Sequence, residues 1–179
     1  MAPQRTRPSS LAAGSNGHKT DIVLPMNQPY MGQIVSGVKT YEFRKYHISK
    51  AVKRVWFYVT APESRITHIC EIAEARTRKT GDEPLPLDGL GNKEYNERHP
   101  DWNGYDFAYE ILSVYELKEP IALEAMKRTY GFKGAPRGLV YATLGMIKDF
   151  PLKDQKTVIQ TCVRFREYTV CVHICVYIL

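Results

Sequence analysis

The chain has 179 residues, 25 of them Lys or Arg and 19 Asp or Glu, for a formal charge of +6. That length fits one domain, and a content of 44% hydrophobic with 11% aromatic residues excludes a wholly disordered chain. No uninterrupted run of about 18 apolar residues is present, which excludes a transmembrane helix.

The charge is unevenly laid out. Residues 37–54 sum to +5, residues 80–125 to −8 and residues 126–160 to +5. A single charge run is usually a solvated face. Two basic segments meeting on one face would instead make a footprint for phosphates, so a polyanionic partner is the first expectation.

Residues 1–20 carry Arg5, Arg7 and Lys19, no acid, and several Pro, Ser and Gly. They read as a disordered basic tail. They lack the apolar stretch of a secretory signal, so an intracellular location, cytoplasmic or nuclear, is expected, with no membrane partner. Cys70, Cys162, Cys171 and Cys175 are then reduced thiols. Cys171, His173 and Cys175 would share one face of a strand, but no fourth ligand at metal-site spacing accompanies them. No metal and no cofactor is expected.

Asp21 to Leu24 predicts a short strand ended by Pro25. Pro29 fits a first helical turn, Tyr30 and Ile34 give helical spacing, and Gly37 is a stop. Lys39 to Phe43, Arg54 to Val59 and Arg65 to Ala75 predict three more strands. Residues 80–104 hold seven Pro and Gly residues and one short helix at 92–98. So long a loop inside a compact domain is usually functional, and this acidic one is a candidate contact for a protein partner. Tyr105 to Leu117 is the next strand, Ala122 to Tyr130 a helix stopped by Gly131, and Gly138 to Leu144 a last strand. Five or six strands with two or three short helices predict an α+β, mainly β fold, a small barrel with inserted helices. The expected organisation is a tail at 1–20, a domain at 21–148, and an extension of uncertain structure at 149–179. Within that extension, residues 168–179 are uniformly apolar and β-prone.

The informative constellation is Ser36-Gly37-Val38-Lys39-Thr40-Tyr41-Glu42-Phe43-Arg44. Period-two alternation puts Lys39, Tyr41 and Phe43 on one face of a strand and Thr40, Glu42 and Arg44 on the other. A carboxylate beside a guanidinium makes a fixed donor–acceptor edge, suited to a base or a phosphate. A surface ion pair of little worth is the competing role.

With Leu24-Pro25-Met26-Asn27-Gln28-Pro29-Tyr30 before it, this stretch resembles the ASCH domain, of the PUA-like superfamily of small β-barrels. Val55 to Pro62, Tyr105 to Ile111 and Ala135 to Tyr141 are similar to further strands of that family, so the resemblance runs from about residue 21 to 145. It implies a PUA-like β-barrel that recognises RNA or a modified nucleotide in a basic cleft. Gly37, Lys39, Glu42, Arg44 and Lys45 would shape that cleft, with Thr60 and Arg137 at its rim. Tyr30, Tyr41, Tyr58 and Trp102 are candidates to stack on a base, each against the alternative of core packing.

Some members of the family resemble amidohydrolases of acylated cytidine nucleosides, with a threonine three residues after the lysine. Here Lys39 is followed at that distance by Glu42, which has no hydroxyl to serve as nucleophile. Other members resemble ribonucleases, for which Lys39, Tyr41 and Glu42 would be the acid–base set. His47 and His68 are the histidines to test for that role. Binding module or hydrolase on an acylated nucleoside or RNA therefore both stay open.

Overall fold

The computed structural model describes residues 19–160. The first part of the tail, the Cys171, His173, Cys175 group and the apolar segment 168–179 lie outside these residues.

Strand β1 (Asp21–Met26) is buried along nearly its whole length and runs parallel to β3 (Arg54–Val59). Strands covered on both faces read as unbroken apolar runs, as these two do. Alternation divides them between two cores. Ile22, Leu24, Val55 and Phe57 pack with Met31 and Ile34 of helix α1 (Gln28–Val35). Val23, Trp56 and Tyr58 face the other way, toward Met126 and Met146. A third cluster joins Tyr41, Phe43, Leu85, Tyr95 and Ala108. Pro25 does not end β1, contrary to expectation, and the strand continues to Met26. The short strand β7 (Val140–Tyr141) flanks β1 only at Ile22 and Val23. At Pro25 that edge carries no ladder, so the missing N–H leaves no gap.

The remaining strands are β2 (Tyr41–Arg44), β4 (Arg65–Ile72), β5 (Arg76–Thr77), β6 (Phe107–Ala122) and β8 (Lys156–Gln160). The sheet order is β2-β6-β4-β3-β1-β7, with β5 and β8 also paired to β6. This is a curled half-barrel, the small α+β PUA-like architecture. The 16-residue β6 is its spine. It was expected to end at Leu117; it departs from the ladder after Glu116 and rejoins β4 at Ile121. The four residues between, including Pro120, bulge opposite Thr67, and bulges of this kind bend a strand enough to serve two parts of a barrel.

Helix α2 (Asn92–Asn96) lies in the 80–104 segment, and α3 (Leu123–Tyr130) ends at Gly131 in the left-handed region, as expected. Besides two 3-10 turns, at Pro100–Trp102 and Leu152–Asp154, two strands and one helix were not expected: β5, β8 and helix α4 (Leu144–Asp149). The strand expected at 138–144 shrinks to β7, because Thr143 caps α4 by accepting from the Met146 N–H at 3.4 Å. β8 pairs with β6 from Glu116 to Ser113. Within the segment expected as an extension, residues 156–160 thus pair with the sheet.

Candidate functional site

A cleft of about 490 Å³ opens where the end of β1, the start of α1, β2 and the 100–105 segment meet. Its floor is a row of charges. Gly37, at φ +76°, turns the chain out of α1, and the Lys39 N–H donates to the Gln33 carbonyl at 3.0 Å. Lys39 Nζ then stands 3.5 Å from Glu42 Oε2, and Arg44 Nη2 stands 2.9 Å from Glu42 Oε1. Glu42 and Arg44 share a face, as alternation predicts. Lys39 was expected on the opposite face. It precedes β2 and escapes the alternation, so its side chain crosses the Phe43 ring at 4.5 Å and also donates to the Tyr41 carbonyl. Lys39 and Glu42 are 8% and 7% exposed, so this is no solvated surface pair. Burial pushes the Lys39 ammonium below the ordinary lysine value; Glu42 opposes the shift and Arg44 reinforces it. Arg44 Nη2 reaches the Pro25 carbonyl at 3.4 Å, while its buried Nε has no partner among the described residues.

The walls are aromatic. Tyr30, 50% exposed, rises from α1. Trp102 stands edge-on to Phe43 at 4.8 Å, and Tyr105 lies 5.9 Å from Trp102. The Thr60 hydroxyl donates to Asn27 Oδ1 at 2.8 Å on the remaining side. Asp101 sits exposed at the mouth.

Of the expected residues, Lys39, Glu42, Arg44, Thr60, Tyr30 and Trp102 line this cleft. Lys45 does not line it but lies over the outer Tyr105 ring at 4.8 Å. Arg137 is exposed in the loop before β7 and is not part of the lining. Tyr41 is a correction: its ring is buried in the third cluster and is not available for stacking or proton transfer. Tyr58 is likewise core. Thr40 accepts from Asn92 and does not line the cleft, so it too leaves the face that alternation gives it with Glu42 and Arg44. His47 packs edge-on against Phe107, and His68 contacts Thr67; neither lines the cleft.

The 80–104 segment is not a loose loop. Leu85, Asn92 and Tyr95 are buried, and it delivers Asp101 and Trp102 to the cleft. Tyr105, Asp101 and Asn27 are site residues that the sequence reading did not single out. The aromatic pair Trp102 and Tyr105 beside a long Pro- and Gly-rich segment was the available signal.

The lining carries two bases, Lys39 and Arg44, and two acids, Glu42 and Asp101. Much of the positive charge of the two basic segments is taken up elsewhere. Lys50 pairs with Glu74, Arg54 with Asp21, Lys127 with Glu124 and Lys156 with Glu116.

Among the solved structures similar in fold are two of one protein. One is the ASCH protein of Zymomonas mobilis, 20% identical, covering 80% of this chain and 99% of that one, with a TM-score of 0.51. The other is a serine-to-alanine mutant of the same protein, 18% identical, covering 74% and 94%, with a TM-score of 0.53. The chain thus has the fold of an ASCH-type domain. No family model and no curated protein matches it. No helix among the described residues is long and apolar enough to cross a membrane.

Proposed function

We propose that the cleft binds RNA or a modified nucleotide, with one base seated between the aromatic walls above the Glu42–Arg44 edge. The observation that carries this reading is the buried Lys39–Glu42–Arg44 row beneath Tyr30, Trp102 and Tyr105. Aromatic faces take any base, while a fixed carboxylate–guanidinium edge can select among them. The lining is charge-balanced, so basic attraction falls to the rim, where Lys45 stands over Tyr105. A fluorescein-labelled RNA hexamer, titrated by anisotropy at two salt concentrations, is the test. The expected log–log slope is shallow, about one to two phosphate contacts. Trp102→Ala is expected to weaken binding by about 1–3 kcal/mol, the loss of one stacked base. No binding at low salt, or binding indifferent to Trp102→Ala, would remove this reading.

A hydrolase acting on an acylated nucleoside or on RNA is the second reading, favoured by the lowered proton affinity of Lys39 beside Glu42 in the cleft. Turnover of an acylated cytidine or of RNA that vanishes in Lys39→Met would support it. Lys39 also has a stability signature. Its folded-state value lies below the ordinary 10.5, so between those two values the unfolded chain binds more protons. Stability then rises with pH across that window. Measured by urea unfolding from pH 7 toward 10, wild type is expected to gain stability relative to Lys39→Met. A relative loss over that range would contradict the buried position of the amine.

A further inference from the structure

The Trp102 wall belongs to a segment with little regular structure, yet the cleft needs it at a set distance from Tyr30. Among the described residues, one side chain from outside the segment hydrogen-bonds the Trp102 backbone. Arg78 directly follows β5, which is pinned to β6 by the pairs Arg76–Ala108 and Thr77–Phe107. Its guanidinium donates from Nη1 to the Tyr95 carbonyl at 3.1 Å and from Nη2 to the Trp102 carbonyl at 2.9 Å. From Nε it donates to Asp106 Oδ1 at 3.1 Å. The group also lies 5.1 Å above the Tyr95 ring, and the side chain is only 8% exposed. Arg98 returns the contact by donating to the Arg78 carbonyl. Among the described residues, no other hydrogen bond reaches the Trp102 backbone from outside residues 99–105.

We propose that Arg78 is the positioning residue of the cleft: it holds the Trp102–Tyr105 wall at its working distance from the Lys39–Glu42–Arg44 floor. The chemistry requires arginine. Only a planar fork with several N–H groups reaches two carbonyls and a carboxylate at once, and a lysine ammonium would keep the charge while matching one or two of the three. The other ties of the segment do not replace this one. The buried Tyr95 hydroxyl, held protonated by a value pushed up to about 12, shares its one proton between the Arg76 and Asp106 carbonyls, each at 3.1 Å. It fixes the root of the segment and leaves the Trp102 end to Arg78. Neither Arg78 nor Tyr95 lines the cleft, so Arg78 acts through the wall and not on a ligand.

The experiment has one arm independent of any ligand. The two tryptophans differ: Trp56 is 1% exposed, and Trp102 is partly exposed beside the cleft. Iodide quenching of indole emission therefore reports Trp102, and a Trp102→Phe background reports Trp56 alone. Arg78→Ala is expected to raise quenching in the wild-type background and leave it unchanged in Trp102→Phe. Arg78→Lys is expected to fall between. The binding arm rests on the nucleotide reading above. There, Arg78→Ala is expected to weaken the labelled RNA hexamer roughly tenfold or more, the loss of at least one charge-assisted bond holding the wall. Wild-type protein that ignores the hexamer would remove the nucleotide reading and leave the quenching arm to decide Arg78. Unchanged Trp102 quenching in Arg78→Ala overturns the proposal. So does quenching that rises equally in the Trp102→Phe background, since that marks general loosening. If Arg78→Ala does not fold, Arg78→Lys decides: wild-type quenching and wild-type hexamer affinity in that variant overturn it.

Discussion

Replacing Glu42 by alanine is expected to destabilise the domain by about 3–5 kcal/mol, the cost of leaving buried charges without a partner. Glu42 is the only acid between Lys39 and Arg44 in the floor row, at 3.5 and 2.9 Å, and is itself 7% exposed. Without it, the buried Lys39 and the partly buried Arg44 are left as unscreened like charges. Arginine does not give up its proton, whereas Lys39 does so at a cost already lowered by burial. Part of the loss is therefore expected to return as pH rises, because the deprotonated amine removes the repulsion. Urea unfolding of Glu42→Ala and Lys39→Met, singly and together, measures the coupling, with an interaction energy of about 0.5–3 kcal/mol expected. A loss below about 1 kcal/mol, the range of exposed pairs, would mean that the row is solvated and cannot form the selective edge proposed here.

Asp21→Ala is expected to cost a similar amount, about 3–5 kcal/mol, by the same physics at the opposite end of β1. Asp21 is fully buried. Its carboxylate accepts from Thr20 Oγ1 at 2.7 Å, Arg54 Nη2 at 2.7 Å and Trp56 Nε1 at 3.0 Å. Truncation leaves the indole N–H and the guanidinium unpaired beside the second core. Asp21→Asn keeps an acceptor for Trp56 and loses the charge, so a smaller loss is expected. The two sites separate in a binding assay. The Asp21 cluster ties the first residues of the parallel pair β1 and β3, whereas Asn27 and Thr60 follow their far ends. Folded Asp21→Asn is expected to bind the RNA hexamer as wild type does, with only the thermal midpoint lowered. Reduced affinity at full folding would show that the two ends of β1 communicate.

How far the sequence reaches can be judged residue by residue. Val55 to Val59, the helix over Tyr30 and Ile34, and the Gly131 stop were legible because each depends on local pattern and turn chemistry. Glu42 beside Arg44 was legible for the same reason. The ASCH resemblance anticipated a fold that the Zymomonas mobilis structures share. β5 and β8 were not legible. They are short, and β8 holds its place by pairing with residues 40 to 47 positions earlier. Alternation failed at Lys39, because the rule assumes a strand and Lys39 enters from a turn. Charge arithmetic failed at the cleft, because it cannot tell a cation aimed into a site from one closed on a neighbouring acid.

Local residue chemistry thus determined the mainly β barrel with its inserted helices and the presence of a charged edge at Glu42 and Arg44. Tertiary structure alone decided what that edge belongs to. It brought Trp102 and Tyr105 some 60 residues along the chain to stand over it, buried Tyr41 and Tyr58, and left Arg137 outside. The reason is that burial and electrostatic context come from non-local packing. Phe43 is the hinge of that packing, touching Lys39 below and Trp102 beside it.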